Sequence, residues 1–85
     1  MESPAGKVLN YYRALGVASI EITDSLSIGD MIQIKGRTTN FDQKVESMQL
    51  QHRSVTEAGK GQVIGLKVID FVRKNDVIYK IECKD

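Results

Sequence analysis

The stretch from Leu26 to Gly36, which runs LSIGDMIQIKG, constrains the fold of this chain more than any other. The glycine–aspartate pair at positions 29–30 has the composition of a turn, and a run of alternating residues follows it. Ile32 and Ile34 share one face of that run, and their immediate neighbours share the other. Alternation with a period of two, bounded by glycines, predicts a strand with one face buried.

The same two-residue rhythm recurs in segments 17–23 (VASIEIT), 62–68 (QVIGLKV) and 77–82 (VIYKIE). The spacing of residues 7–15 fits either a helix or a strand, but Asn10 and two adjacent tyrosines favour a strand. In residues 44–51 the alternation changes phase, which predicts a β-bulge near Ser47. We therefore expect an all-β protein of about six or seven short strands.

Strands at this spacing form either a closed barrel or a sandwich. A chain of 85 residues has few other means of protecting its strand edges, and closure removes those edges, so we predict a closed β-barrel. Residues 1–6 contain the only proline and show no periodicity. They predict a disordered arm ahead of a single barrel domain over residues 7–85.

The charge balance and the cysteine count exclude several classes of function. Twelve basic and eleven acidic residues give a net charge of +1, which permits a local basic face but does not itself indicate nucleic-acid binding. Cys83 is the only cysteine, so it can form no internal disulfide and no zinc site. No run approaches the ~20 apolar residues of a membrane helix, and the N-terminus does not resemble a signal peptide. We expect a cytoplasmic protein without a membrane partner.

Catalytic chemistry finds little support in these residues. The only histidine, His52, is far from Cys83 in sequence, no serine has an evident base, and no cluster has metal-ligand spacing. The pair Gly59–Lys60 lacks the spacing and the Ser/Thr of a phosphate-binding loop. We expect no enzyme activity, no cofactor, no metal and no nucleotide.

Two groups of polar side chains are candidate RNA-binding surfaces. The first combines amides with a basic pair, at Gln49, Gln51, His52 and Arg53. Such groups contact RNA bases and phosphates, and the alternative is a solvated strand face. The second consists of cations on two predicted hairpins, Lys35, Arg37, Lys44, Lys60 and Lys67. Neighbouring hairpins would line these cations into a phosphate-binding stripe, whereas the acids between them favour a mixed solubilising surface.

The aromatic residues have two possible roles. Tyr11 and Tyr12 are adjacent on a predicted strand, so one ring faces in and at most one is free to stack on a base. Packing in the core or at an edge is the alternative for both. Phe71, beside Val72, is expected in the core.

Three blocks of sequence resemble, in order, the second domain of translation GTPases such as elongation factor Tu. They are LSIGDMIQI (26–34), VESMQL (45–50) and AGKGQVIGL (58–66). The chain looks more closely like the small stand-alone translation-elongation-factor-like proteins, and its barrel is also similar to one appended to some collagenase-like peptidases. The resemblance implies a Greek-key closed β-barrel of the domain 2 type, in a chain that lacks the GTPase domain.

The resemblance also implies a non-enzymatic module that binds RNA. In the full-length factors this domain helps hold the aminoacyl end of transfer RNA or contacts the ribosome, and the corresponding pocket positions fall near Gln49 and His52. The expected partner is therefore transfer RNA or ribosomal RNA. The alternative is a protein-interaction barrel that acts in trans with a collagenase-like peptidase or another protein partner.

Overall fold

The computed structural model describes residues 2–81, which form ten β-strands and no helix. No segment in that range is a helix long and apolar enough to cross a membrane. The all-β prediction is confirmed, and Cys83 lies outside the described residues. The strands are β1 (Glu2–Tyr12), β2 (Val17–Ile22), β3 (Ser25–Ser27), β4 (Met31–Lys35), β5 (Asn40–Lys44), β6 (Met48–Leu50), β7 (Arg53–Val55), β8 (Glu57–Gly59), β9 (Val63–Lys67) and β10 (Val77–Ile81).

The number of strands exceeds the predicted six or seven because four of them are only three residues long. β3, β6, β7 and β8 are too short to show a two-residue period in the sequence. Eight strands form one antiparallel sheet in the order β5-β4-β10-β1-β2-β9-β6-β7, and β3 pairs with β8 in a separate ribbon. This order has two ends, so the predicted closed Greek-key barrel is not confirmed.

The large sheet cannot be flat. β5 and β6 stand first and seventh in its order, which in a flat sheet would place them roughly 29 Å apart at about 4.8 Å per strand. Only residues 45–47 connect these two strands, and the chain from the end of one to the start of the other reaches about 14 Å at most. The sheet therefore curves until β5 approaches β6, the strand next to the opposite end.

A buried side chain on β5 crosses from this end strand to the far end of β9. Gln43 lies opposite Ile32 in the ladder, on the core side, and is 6% exposed. Its Nε2 donates a hydrogen bond to the carbonyl oxygen of Lys67 at 2.9 Å, and its Oε1 accepts one from the N–H of Ile69 at 3.0 Å. Hydrogen bonds from a side chain thus join β5 to the end of β9, where no ladder forms.

The core lies inside this curved sheet and confirms the alternation of the Leu26–Gly36 stretch. Ile32 and Ile34 are fully buried, whereas Met31 and Gln33 on the outer face are half-buried. The buried core consists of Val8, Ala18, Ile20, Ile22, Leu26, Ile32, Ile34, Val45, Met48, Ala58, Ile64, Leu66, Val68, Val72 and Ile78.

The turn before β4 forms as its Gly29–Asp30 pair predicted. Gly29 has a φ of 96°, a conformation that favours glycine. Asp30 Oδ2 accepts a hydrogen bond from the N–H of Ser27 at 2.8 Å and lies 3.5 Å from Lys80 Nζ. The aspartate therefore holds together the turn that directs the chain into β4.

Residues 2–6 form the start of β1, not the disordered arm that the sequence predicted. Pro4 pairs with Tyr79 of β10, and Ala5 is 1% exposed. No periodicity is visible because the register shifts between Pro4 and Gly6. A Cβ on Gly6 would stand 2.8 Å from Ile20 Cγ2, so any larger residue at position 6 would force the neighbouring strand or the Ile20 side chain to shift. β1 continues to Tyr12, which confirms a strand for that part of residues 7–15.

The phase change in residues 44–51 is not the predicted bulge within one strand. β5 ends at Lys44, β6 begins at Met48, and residues 45–47 carry the chain from one end strand of the sheet to the strand next to the opposite end. Val45 is buried in this connection, which explains why an apolar residue breaks the alternation. The observed register shifts lie in β1 instead.

Candidate functional site

Three of the four residues in the first predicted group line one open cleft. Gln49 lies on β6, and Gln51 and His52 form the turn between β6 and β7. They surround a cleft of about 220 Å³ together with Ser19, Val63, Ile64 and Gly65. Arg53, the first residue of β7, is exposed but does not line this cleft. The structure therefore brings the amides and the histidine together without the arginine.

The turn between β6 and β7 has an unusual backbone conformation. Gln51 and His52 have φ values of 51° and 65°. Leu50 pairs with Arg53, so these two residues form a two-residue hairpin loop with positive φ at both positions, the type I′ arrangement. Asn-Gly is the favoured pair for such a loop, because a side chain with a Cβ is disfavoured in the left-handed region.

Replacing the pair Gln51–His52 by Asn–Gly is expected to raise the free energy of unfolding by about 0.5–1 kcal/mol. The change relieves the left-handed strain, and the greater entropy of glycine in the unfolded chain offsets part of the gain. Urea denaturation measures the difference. His52→Ala is the control. It should not raise the free energy of unfolding, because alanine retains the Cβ that disfavours the left-handed conformation. A less stable Asn–Gly variant would show that the native side chains make stabilising contacts.

The five cations of the second predicted group do not all meet at one place. Lys35 and Arg37 lie at the turn end of the β4–β5 hairpin, and Lys44 lies at its other end, about 13 Å away along the strands. The bond from Gln43 to the Lys67 carbonyl places Lys67 near the Lys44 end, whereas Lys60 precedes β9 at its opposite end. The five cations therefore lie at opposite ends of the strands and do not form the predicted continuous stripe.

Two of these cations have neighbours that the sequence did not indicate. Lys35 Nζ lies 5.5 Å from the centroid of the Tyr79 ring, close enough for a cation–π contact. Arg37 lines a cleft of about 470 Å³ with Arg73 and Lys74, and the buried carboxylate of Asp76 lies in the same lining. Within residues 2–81, no group of three or more His, Cys, Asp or Glu side chains is placed to hold a metal ion.

The most concentrated apolar surface was not predicted from the sequence. Six large hydrophobic side chains are exposed in residues 2–81, and four of them lie on two adjoining segments, the end of β1 with the turn that follows it and the loop after β9. We call these four residues the end patch: Tyr12 (47% exposed), Leu15 (70%), Ile69 (73%) and Phe71 (61%). A hydrogen bond of 3.0 Å from the N–H of Val68 to the carbonyl of Gly16 joins the two segments.

Aromatic contacts hold Phe71 in the end patch. Its ring meets Tyr11 edge to face, with centroids 5.9 Å apart and an interplanar angle of 86°. Arg13 Cζ lies 5.4 Å from the Phe71 centroid. Phe71 was expected in the core, but Val72 takes the core position at 3% exposed, and Phe71 remains outside it.

Comparison with known proteins finds relatives among proteases. No protein-family model matches the chain. An uncharacterised protease of Methanocaldococcus jannaschii is 41% identical over 78 residues, which are 91% of this chain and 19% of the protease. A collagenase of Porphyromonas gingivalis is 40% identical over 82 residues, which are 94% of this chain and 23% of the collagenase. The chain thus spans about a fifth of the length of these curated relatives.

Solved structures confirm the similarity of fold. Two crystal structures of the C-terminal domain of a putative U32 peptidase from Geobacillus thermoleovorans superimpose with TM-scores of 0.85 and 0.87. The first covers 89% of this chain and 96% of that domain, and the second covers 92% and 91%. Both are 23% identical to this chain, so they show a shared fold and no more.

These findings overturn the resemblance to elongation factor Tu and the RNA-binding function that rested on it. The sequence relatives are a protease and a collagenase, and the structural neighbours are C-terminal domains of a U32 peptidase. The three sequence blocks describe a glycine–aspartate turn and alternating strands, which are properties of the fold and occur in unrelated β proteins. The chain is therefore similar in sequence to one portion of these proteases, and in fold to the C-terminal domain of a peptidase.

Proposed function

We propose that the chain is an accessory protein-interaction domain that serves a collagenase-like peptidase and does not itself catalyse hydrolysis. One observation carries the proposal: nearly the whole chain matches, at about 40% identity, a stretch that makes up only a fifth of each relative. A unit of this size with its own core is a domain, and the remaining four-fifths of each relative lies outside it. The proposal assigns the chemistry to that remainder.

The surface of the chain supports a role in binding another protein. Exposed apolar side chains are ordinary when scattered, but a contiguous group of them marks an interaction site. The end patch places four exposed apolar side chains on two segments that a hydrogen bond joins, and two of them are aromatic rings of the type enriched at protein interfaces. The one histidine in the chain, His52, is exposed on a hairpin loop.

The test combines the full chain with the purified Porphyromonas gingivalis collagenase from which the matching fifth has been removed, so that no second copy of the domain competes for the peptidase. Calorimetric titration is expected to show a complex with a Kd of about 10 µM or tighter, within the range of standard-size interfaces. Hydrolysis of gelatin is measured with the peptidase, with the chain alone and with both. We expect no hydrolysis by the chain alone.

An unrelated domain of similar size is the control, and it should show no binding. Absence of a complex with the peptidase would remove the proposed partnership. Gelatin hydrolysis that copurifies with the chain alone would contradict the non-catalytic role.

A further inference from the structure

We infer that the end patch is the surface on which this domain docks against the catalytic part of the peptidase, which meets it with an apolar surface carrying a carboxylate. This inference rests on the proposed function and adds the location and the chemistry of the contact. The residues that carry it are Tyr12, Leu15, Ile69 and Phe71, together with Arg13.

The end patch stands out from the rest of the described surface. Its four side chains are 47–73% exposed, and the other two exposed large hydrophobics, Ile28 and Val63, lie on different elements at 40% and 45%. Leaving several large apolar groups in water on adjoining segments is unfavourable, and covering them with a partner removes that cost.

The end patch is also held in place before any partner arrives. The Gly16–Val68 hydrogen bond joins its two segments, and Tyr11 packs against the Phe71 ring. Asp70 Oδ1 accepts a hydrogen bond from the N–H of Phe71 at 2.7 Å, which orders the backbone beside the ring. A surface ordered in advance loses less conformational entropy when it binds.

Arg13 indicates the charge that the partner carries. Its guanidinium lies over the Phe71 ring and is exposed, and it makes no hydrogen bond or ion pair within residues 2–81. A guanidinium oriented by an aromatic ring presents its N–H donors in a fixed fork, which suits a carboxylate. The matching surface is therefore apolar around an aspartate or glutamate.

The extent of the sequence match indicates which surface covers the end patch. The alignment with the Porphyromonas collagenase spans 94% of the chain, so both segments of the end patch fall within the part shared with that protein. About four-fifths of the collagenase lies beyond the match. That remainder is the occupant that we propose, and a second copy of the chain is the alternative that the experiment resolves.

The experiment compares matched charge substitutions in the full chain. Leu15→Glu and Ile69→Glu place a carboxylate within the end patch, and Ile28→Glu places one at an exposed isoleucine outside it. Each patch variant should weaken the Kd for the purified peptidase about tenfold or more, because an interface core excludes charge. Ile28→Glu should stay within about twofold of the unsubstituted chain.

Two substitutions of Arg13 separate the effect of its charge from the effect of its planar guanidinium group. Arg13→Glu should weaken binding about tenfold, and Arg13→Lys should recover only part of that loss because lysine lacks the planar fork. The affinity of the unsubstituted chain should fall as salt rises, and the affinity of Arg13→Glu should rise, because salt screens the repulsion between two carboxylates. Circular dichroism verifies folding, and Ile69→Glu, at the most exposed patch position, serves if Leu15→Glu does not fold.

The outcomes separate this inference from the proposed function. If the unsubstituted chain does not bind the peptidase, the proposed function fails. If it binds and the patch variants bind equally well, the docking surface lies elsewhere and only this inference is overturned. Sedimentation that shows a dimer abolished by Leu15→Glu, with peptidase binding unchanged, assigns the patch to a second copy and also overturns it.

Discussion

Replacing Gly36 by alanine is expected to lower the free energy of unfolding by about 2–4 kcal/mol. A methyl group on this residue would overlap Oδ1 of Asp76 and stand 2.6 Å from its Cγ. Asp76 is 4% exposed, and its Oδ2 accepts a hydrogen bond from the N–H of Arg73 at 2.8 Å. The carboxylate cannot retreat without breaking that bond, so the β4–β5 turn and the turn before β10 are forced apart.

Chemical denaturation of matched variants measures this effect. Gly59→Ala is the control, because no atom lies within 4 Å of a Cβ at that position, and it should change stability by about 0.5 kcal/mol or less. In the double variant Gly36→Ala/Asp76→Ala the overlap is absent. The double variant should therefore lose less unfolding free energy than the two single variants lose together. Strict additivity would mean that the two residues do not press on each other.

Replacing Gln43 by methionine is expected to lower the free energy of unfolding by about 2–3 kcal/mol. Methionine has a similar length and volume, so the substitution tests the loss of the two hydrogen bonds and not a change in packing. It leaves the carbonyl of Lys67 and the N–H of Ile69 without the amide that now pairs with them. β5 and the end of β9 then lose the side chain that joins them.

The readouts are urea denaturation and hydrogen exchange at the Ile69 amide, which should exchange faster in the Gln43→Met variant. Gln33→Met is the control on the neighbouring strand. Its side chain makes an exposed hydrogen bond of 3.0 Å to Asn40, and its replacement should have little effect on stability. Unchanged stability in Gln43→Met would show that solvent satisfies both backbone groups and that the bridge is unimportant.

Much of the strand content was predictable because the direction of a side chain is a local property of extended backbone. Ile32 and Ile34 are buried as the alternation predicted. Asp30 stabilises the turn that the glycine–aspartate pair predicted. The predictions that were wrong depended on contacts between distant parts of the chain. Ala5 and Gly6 are buried because β10 pairs with β1, and no periodicity within residues 1–6 reports a partner more than 70 positions away in sequence.

The candidate site was harder to predict than the strands. Gln49, Gln51 and His52 do converge, because a two-residue hairpin loop keeps neighbours in sequence together. The end patch joins Leu15 to Ile69 and Phe71, which are far apart in the chain, through the bond between Gly16 and Val68. An exposed phenylalanine and a buried one look the same in a sequence, and only the packing around Val72 separates them.

The sequence by itself determined that this chain forms strands, where the turn before β4 lies, and which isoleucines face inward, since each depends on residues within a few positions of one another. The tertiary structure alone decided that the sheet curves without a closing ladder, that Gln43 joins β5 to the end of β9, and that an apolar surface remains exposed beside Arg13. These features depend on which distant segments meet. Such contacts form because the whole chain must bury its apolar surface and pair its backbone groups at once, and no local pattern records that solution.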